Sequence, residues 1–158
     1  MTAATEALAP RLKIWRETPE IYRAMESLST QAGGADQTLC DLLTIRVSQM
    51  NGCAYCIDMH TKDARVSGET EQRIYALNAW RETPFYTPRE RAALALAEAM
   101  TNLGDGHVSD EVYAEAATHF DPAELSRVIW WIAIINTWNR IAITTRIVPG
   151  TYRSRRQA

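Results

Sequence analysis

Two short signals constrain this chain more than any other feature: Thr87-Pro88-Arg89-Glu90 and Asp121-Pro122-Ala123-Glu124. In each, a side-chain oxygen can cap a helix, a proline takes the first helical turn, and a glutamate can close a capping box. Each therefore starts a helix. The first runs to about Leu103, where Gly104-Asp105-Gly106 breaks it, and the second to about Ile147. The remaining segments agree. Pro19–Gln31 carries Ile21, Met25 and Leu28 at helical spacing and ends at Gly33-Gly34. Asp36 can cap a helix running to about Met50, with Leu39, Leu42, Leu43 and Val47 on its apolar side. Asn51-Gly52 interrupts the pattern, and a further helix follows from Cys53 to about Val66, with Gly68 as its C-terminal cap. Glu69–Trp80 and a stretch capped by Ser109 and ending near His119 complete the set. Ala7–Trp15 forms a short leading segment, and Arg81–Tyr86 is a loop. No alternating run bounded by hairpin turns occurs, so the expected fold class is all-α.

With 158 residues the chain fits one domain, expected over 1–152 with its core at 20–152. A short basic tail, 153–158, follows. Arg153, Arg155 and Arg156 read as a solvated tail, with docking onto an acidic neighbouring subunit as the alternative. The net charge of −2 argues against a nucleic-acid-binding role, because phosphate neutralisation calls for a basic protein. The longest apolar run, Val128–Ile135, is far shorter than the roughly 20 residues of a membrane span. Met1–Pro10 has no basic region followed by an apolar stretch, and a cytoplasmic location is expected. Val128–Ile135 is apolar all round, so its helix is expected to be central in the fold or covered by another subunit. Trp130 and Trp131 within it suit an interface, and a homo-oligomer is expected.

Chemistry concentrates in Asn51-Gly52-Cys53-Ala54-Tyr55-Cys56-Ile57-Asp58-Met59-His60. On a helix, Cys53, Cys56 and His60 share one stripe. Residues three apart have Cα atoms ~5–5.5 Å apart, inside the range a disulfide accepts. The pair can cycle between dithiol and disulfide with little backbone movement. Cys53 sits in the first turn, where unpaired N–H groups favour a thiolate. His60, one turn past Cys56, can take its proton. Asp41 lies ten residues before Asn51 and His60 nine after it. If the two helices fold back on each other, these residues reach similar heights, and a carboxylate there would fix the imidazole tautomer.

Rival readings of the cysteines are weaker. Zinc needs a fourth ligand, and Cys40, His107 and His119 show no paired ligand spacing. Covalent haem attachment needs histidine where Ile57 stands. A thioredoxin arrangement needs βαβ surroundings. Inert core cysteines remain a structural alternative, though they do not account for the glycine break and the spaced histidine. Cys40 reads as a small core residue, His107 and His119 as solvated, and Glu98 as a carboxylate in an apolar run that needs a partner or water.

The run from Asp41 to Arg65 resembles the core of the AhpD-like alkylhydroperoxidases, within the carboxymuconolactone decarboxylase superfamily. The likeness extends through Trp80-Arg81-Glu82-Thr83-Pro84 and Asn136-Thr137-Trp138-Asn139-Arg140 and covers roughly residues 20–152. It implies a helical bundle in which an antiparallel helix pair carries the Cys-x2-Cys-x3-His motif, assembled as trimers or hexamers. It implies that Cys53 and Cys56 reduce alkyl or organic hydroperoxides, that His60 assists, and that a thiol or dithiol protein resets the pair. Neither a metal nor an organic cofactor is implied. The family's relay glutamate falls at Asp41, one methylene shorter, and Tyr55 stands where the best-known branch has histidine. Because His60 neighbours it, Cys56 is expected to attack. Cys53 is expected to resolve, since a helix start is easier for a reductant to reach. Two alternatives stay open: a redox-sensing or thiol-exchanging oligomer without peroxidase turnover, and a decarboxylase-like enzyme independent of the thiols.

Overall fold

Capping decides where the helices begin. In the computed structural model, which describes residues 9–34 and 36–156, Asp36 accepts the Leu39 N–H and starts α3 (Gln37–Asn51). Thr87 and Asp121 each form a full capping box, with Glu90 and Glu124, at the heads of α6 (Pro88–Thr101) and α8 (Pro122–Thr145). Ser109 caps α7 (Asp110–His119) through the Val112 N–H. Thr70 does the same for α5 (Glu71–Ala76) through Arg73. Ahead of α3 lie a single turn, α1 (Ile14–Glu17), and α2 (Pro19–Ala32), which has proline in its first turn. The leading segment expected from Ala7 begins outside the described residues. No strand occurs among the described residues.

One boundary differs from the sequence reading. Glu69–Trp80 is not a single helix: α5 ends at Ala76, and a 3-10 turn spans Leu77–Glu82 with a kink at Ala79. The change lets the Trp80 ring turn inward, where it is buried and donates its N–H to Glu98 at 2.8 Å. Arg81 and Arg91 both lie over that ring.

The centre of the fold is α3. Leu39, Leu42, Leu43, Ile45 and Val47 are all buried, and α3 packs against α4 (Ala54–Val66), α6 and α8. Burying such side chains contributes roughly 1.5–3 kcal/mol each before conformational entropy is counted. The all-apolar stretch of α8 is therefore only partly central. Val128, Ile132 and Ile135 face the core, and the Trp131 N–H donates to Thr44 Oγ1 and to the Cys40 carbonyl. Trp130, by contrast, is 56% exposed.

The C-terminal segment after α8 doubles back over α4. The Gly150 N–H donates to Asp58, Lys62 Nζ donates to the Tyr152 carbonyl, and the Tyr152 hydroxyl donates to Asp63. Arg156 pairs with Asp41 at 2.7 Å and donates to Ser67 Oγ. Of the tail expected to be solvated, Arg156 is docked on the chain's own acidic residue, while Arg153 and Arg155 are exposed. Residues 157–158 lie outside the described part.

Candidate active site

A glycine turn sets the site. Asn51 ends α3, and Gly52 takes a left-handed backbone (φ 69°), a conformation that costs any side-chain-bearing residue more. The chain then reverses into α4, giving the antiparallel pair. Amides from α8 hold this turn. The Asn51 side chain donates to Asn136 Oδ1 (3.0 Å) and Asn139 Oδ1 (2.9 Å), and Asn139, fully buried, donates to Ser48 Oγ (3.0 Å). The Ser48 carbonyl in turn accepts the Cys53 N–H at 3.0 Å.

Cys53 is the cap of α4 rather than part of its first turn. Its sulfur accepts the Cys56 N–H at 3.3 Å, and the two cysteines are joined in a disulfide with Cα atoms 5.3 Å apart. Both are buried, at 1% and 2% exposure, and both pack against Ala142. The two are not equivalent, however. Cys56 lines a cavity of ≈ 830 Å³ together with His60, and Cys53 is not part of that wall. The expectation that Cys53 is the sulfur easier to reach therefore fails, because the helix start is packed under α8.

The cavity is walled mainly by apolar and aromatic groups, including Tyr22, Trp131, Trp138 and Ile135. Tyr22 and Trp138 meet edge to face, 5.3 Å between centroids. The Trp138 N–H is tied to Ser29 and the Trp131 N–H to Thr44, so their rings are fixed. His60 keeps a little surface open to the cavity but is otherwise surrounded by protein. Burial there pushes its pKa down to about 4; nearby Asp63 acts in the opposite direction, and Arg156 adds to the lowering. At neutral pH the imidazole is uncharged and can accept a proton. Burial also raises the Tyr55 hydroxyl above its ordinary value.

The carboxylate expected beside His60 is engaged elsewhere. Asp41 is buried, accepts from Arg156 on both oxygens (2.9 and 2.7 Å), and accepts from Gln37 at 2.9 Å. Among the described residues no hydrogen bond joins it to His60, and the charges that act on His60 are those of Asp63 and Arg156. The returning C-terminal segment puts a guanidinium on the carboxylate. Asp63 and Tyr152 were not singled out by sequence. Asp63 lies three residues beyond His60 on the same helix, a spacing that could have found it; nothing local points to Tyr152.

The other sequence candidates fall outside the cavity. Cys40 is a buried free thiol whose pKa burial raises. His107 lies in a loop, and His119 contacts Glu115 at 3.1 Å. Glu98 accepts from Arg46 at 2.7 Å, from Trp80 and from Arg81. Burial raises its pKa, but these donors outweigh burial and hold it below the ordinary carboxylate range. Among the described residues no three His, Cys, Asp or Glu side chains gather in a metal-binding arrangement. No helix among them is long and apolar enough to cross a membrane.

The profile of the carboxymuconolactone decarboxylase family matches residues 18–99. The uncharacterized protein YdfG of Bacillus subtilis is 45% identical over 138 residues, 86% of this chain and 94% of that protein. A crystal structure from Agrobacterium tumefaciens superposes with a TM-score of 0.86 at 34% identity, covering 91% of this chain and all of the other. It is described as a protein of unknown function, proposed to be an antioxidant defence protein AhpD. The debrominase Bmp8 shares the fold, with a TM-score of 0.75 at 22% identity over 85% of this chain and 74% of its own.

Proposed function

The chain belongs to the carboxymuconolactone decarboxylase family, among its AhpD-like members, and from that premise we propose that it is a thiol-dependent peroxidase for organic hydroperoxides. One observation carries the reading: a disulfide-forming pair, one of whose sulfurs shares an apolar, aromatic-walled cavity with a histidine.

In the reduced protein His60 takes the proton of Cys56, and the thiolate attacks the outer oxygen of the hydroperoxide. The O–O bond breaks, Cys56 becomes a sulfenic acid, and the alkoxide leaves as an alcohol with the proton from His60. Cys53 then displaces water from the sulfenic acid, giving the Cys53–Cys56 disulfide. Two thiols, or one dithiol protein, restore the pair and leave as a disulfide. The cavity wall favours a hydroperoxide with an apolar body over hydrogen peroxide, because burying that body contributes about 25 cal/mol per Å². The reductant enters through the cavity and attacks Cys56. Cys53 is then the leaving thiolate, held by the Cys56 N–H at the head of α4. In this reading the protein works in the cytoplasm and assembles as a homo-oligomer, and the exposed Trp130 and Ile143 on α8 support the assembly. Sedimentation at the mass of one chain would reject assembly.

Hydroperoxide consumption with a dithiol reductant tests the activity. Wild type turns over, and Cys53→Ser and Cys56→Ser each abolish turnover. Equal rates in all three would overturn the mechanism. Disulfide exchange without hydroperoxide loss would assign the pair to thiol exchange instead.

A further inference from the structure

The C-terminal segment brings two side chains to the helix pair, and each engages a different carboxylate. Arg156 occupies both oxygens of Asp41, and the Tyr152 hydroxyl donates to both oxygens of Asp63, at 2.8 and 3.1 Å. The two carboxylates are left in different electrical states. Asp41 is held by Arg156 and Gln37, and its charge does not register at His60, whereas that of Arg156 does. Asp63 receives a neutral hydroxyl and lies, 7% exposed, in the wall of the cavity that holds His60 and Cys56.

We infer that Asp63, gripped by Tyr152, is the carboxylate that steadies the imidazolium of His60, in the part that the sequence pattern assigns to Asp41. Its position three residues along α4 puts it on the same side of the helix as His60. The pair is therefore built into one element, and the C-terminal segment supplies the clamp. Besides Cys56, the titratable or charged groups around His60 are Tyr55 and Asp63 on its own helix, Tyr22 and Glu26 on α2, and Tyr152 and Arg156 from the segment. Of these, Asp63 is the carboxylate whose charge registers at His60. Asp63 touches neither sulfur and acts through the imidazole, so it is a positioning residue. Its role in proton transfer rests on the peroxidase reading; its coupling to His60 does not.

The test separates the two. The His60 ring is followed by NMR from pH 8 to pH 3 in the oxidised protein, where no thiol titrates at Cys53 or Cys56. Asp63→Asn removes the anion and moves the His60 midpoint down. Tyr152→Phe keeps the cavity wall but takes away the hydrogen bond that spreads the Asp63 charge, and the midpoint moves up. Asp41→Asn, whose amide oxygen still accepts from Arg156, leaves the midpoint in place. In the reduced protein, alkylation of Cys56 by iodoacetamide at pH 7 slows about tenfold in Asp63→Asn and less than about twofold in Asp41→Asn. A midpoint that follows Asp41 instead, or one unmoved by Tyr152→Phe, overturns the inference. Neither readout uses a hydroperoxide, so failure of peroxidase turnover in the wild type leaves both informative.

Discussion

Two polar centres lie beside α3, and they are built on opposite principles. At Glu98 every feature favours charge: Arg46, Trp80 and Arg81 all donate to one carboxylate, and Arg46 also donates to Asn78. At His60 no hydrogen bond to any described residue is formed, and the surroundings favour the neutral ring. A saturated network fixes a fold, because removing any member strands the others in a low-dielectric place. An imidazole without fixed partners loses little when replaced, yet it retains the capacity to take a proton. The contrast separates the residues that hold this protein together from those proposed to carry its chemistry.

The largest expected effect is on chemistry. His60→Gln lowers hydroperoxide turnover by about 10²–10⁴-fold and leaves the melting temperature close to wild type, as measured by steady-state kinetics beside calorimetry. Glu98→Ala does the reverse. It destabilises the fold by about 3 kcal/mol, because Arg46 loses its anion, while turnover per folded molecule is retained. If Glu98→Ala silences the enzyme without loosening it, the division drawn between the two centres is wrong.

Acid separates the centres next. His60 has a folded pKa of about 4, below its ordinary 6.5, so between those values the unfolded chain binds a proton that the folded chain refuses. Stability is whole above pH 6.5 and declines as pH falls towards 4, by at most about 3 kcal/mol. Glu98 is displaced below its ordinary 4.5, so its contribution is present above that value and is lost only as pH falls further, through its folded pKa. Urea titrations at pH 7, 5.5 and 4.5 should show the first slope, and His60→Gln should flatten it.

The smallest effect is at a cap remote from both centres. Thr87→Ala costs about 1 kcal/mol and leaves turnover unchanged.

What the sequence discloses here is whatever is decided within a few residues. Thr87-Glu90 and Asp121-Glu124 cap as their spacing requires, and Asp36 starts α3. Cys53 and Cys56 meet because the cap position and the third residue of α4 lie within bonding reach, 5.3 Å between Cα atoms. The pairings that sequence misses span most of the chain. Asp41 and Arg156 are 115 residues apart, and Asp63 and Tyr152 are 89 apart. Whether the last residues return over α4 depends on where a 24-residue helix delivers them, and no local signal encodes that. Trp80 shows the same limit on a smaller scale. Its helical neighbours predict a continuing helix, but an indole N–H aimed at Glu98 and two stacked arginines favour the 3-10 turn. The aromatic wall of the cavity is likewise assembled from helices distant in sequence.

The most direct measurement is a single turnover. Fully reduced protein is mixed with one equivalent of an organic hydroperoxide in the absence of other thiols, and alcohol and disulfide are counted. One alcohol formed for each Cys53–Cys56 disulfide is the predicted result. A disulfide that forms without alcohol, or a hydroperoxide left intact beside reduced protein, would contradict it.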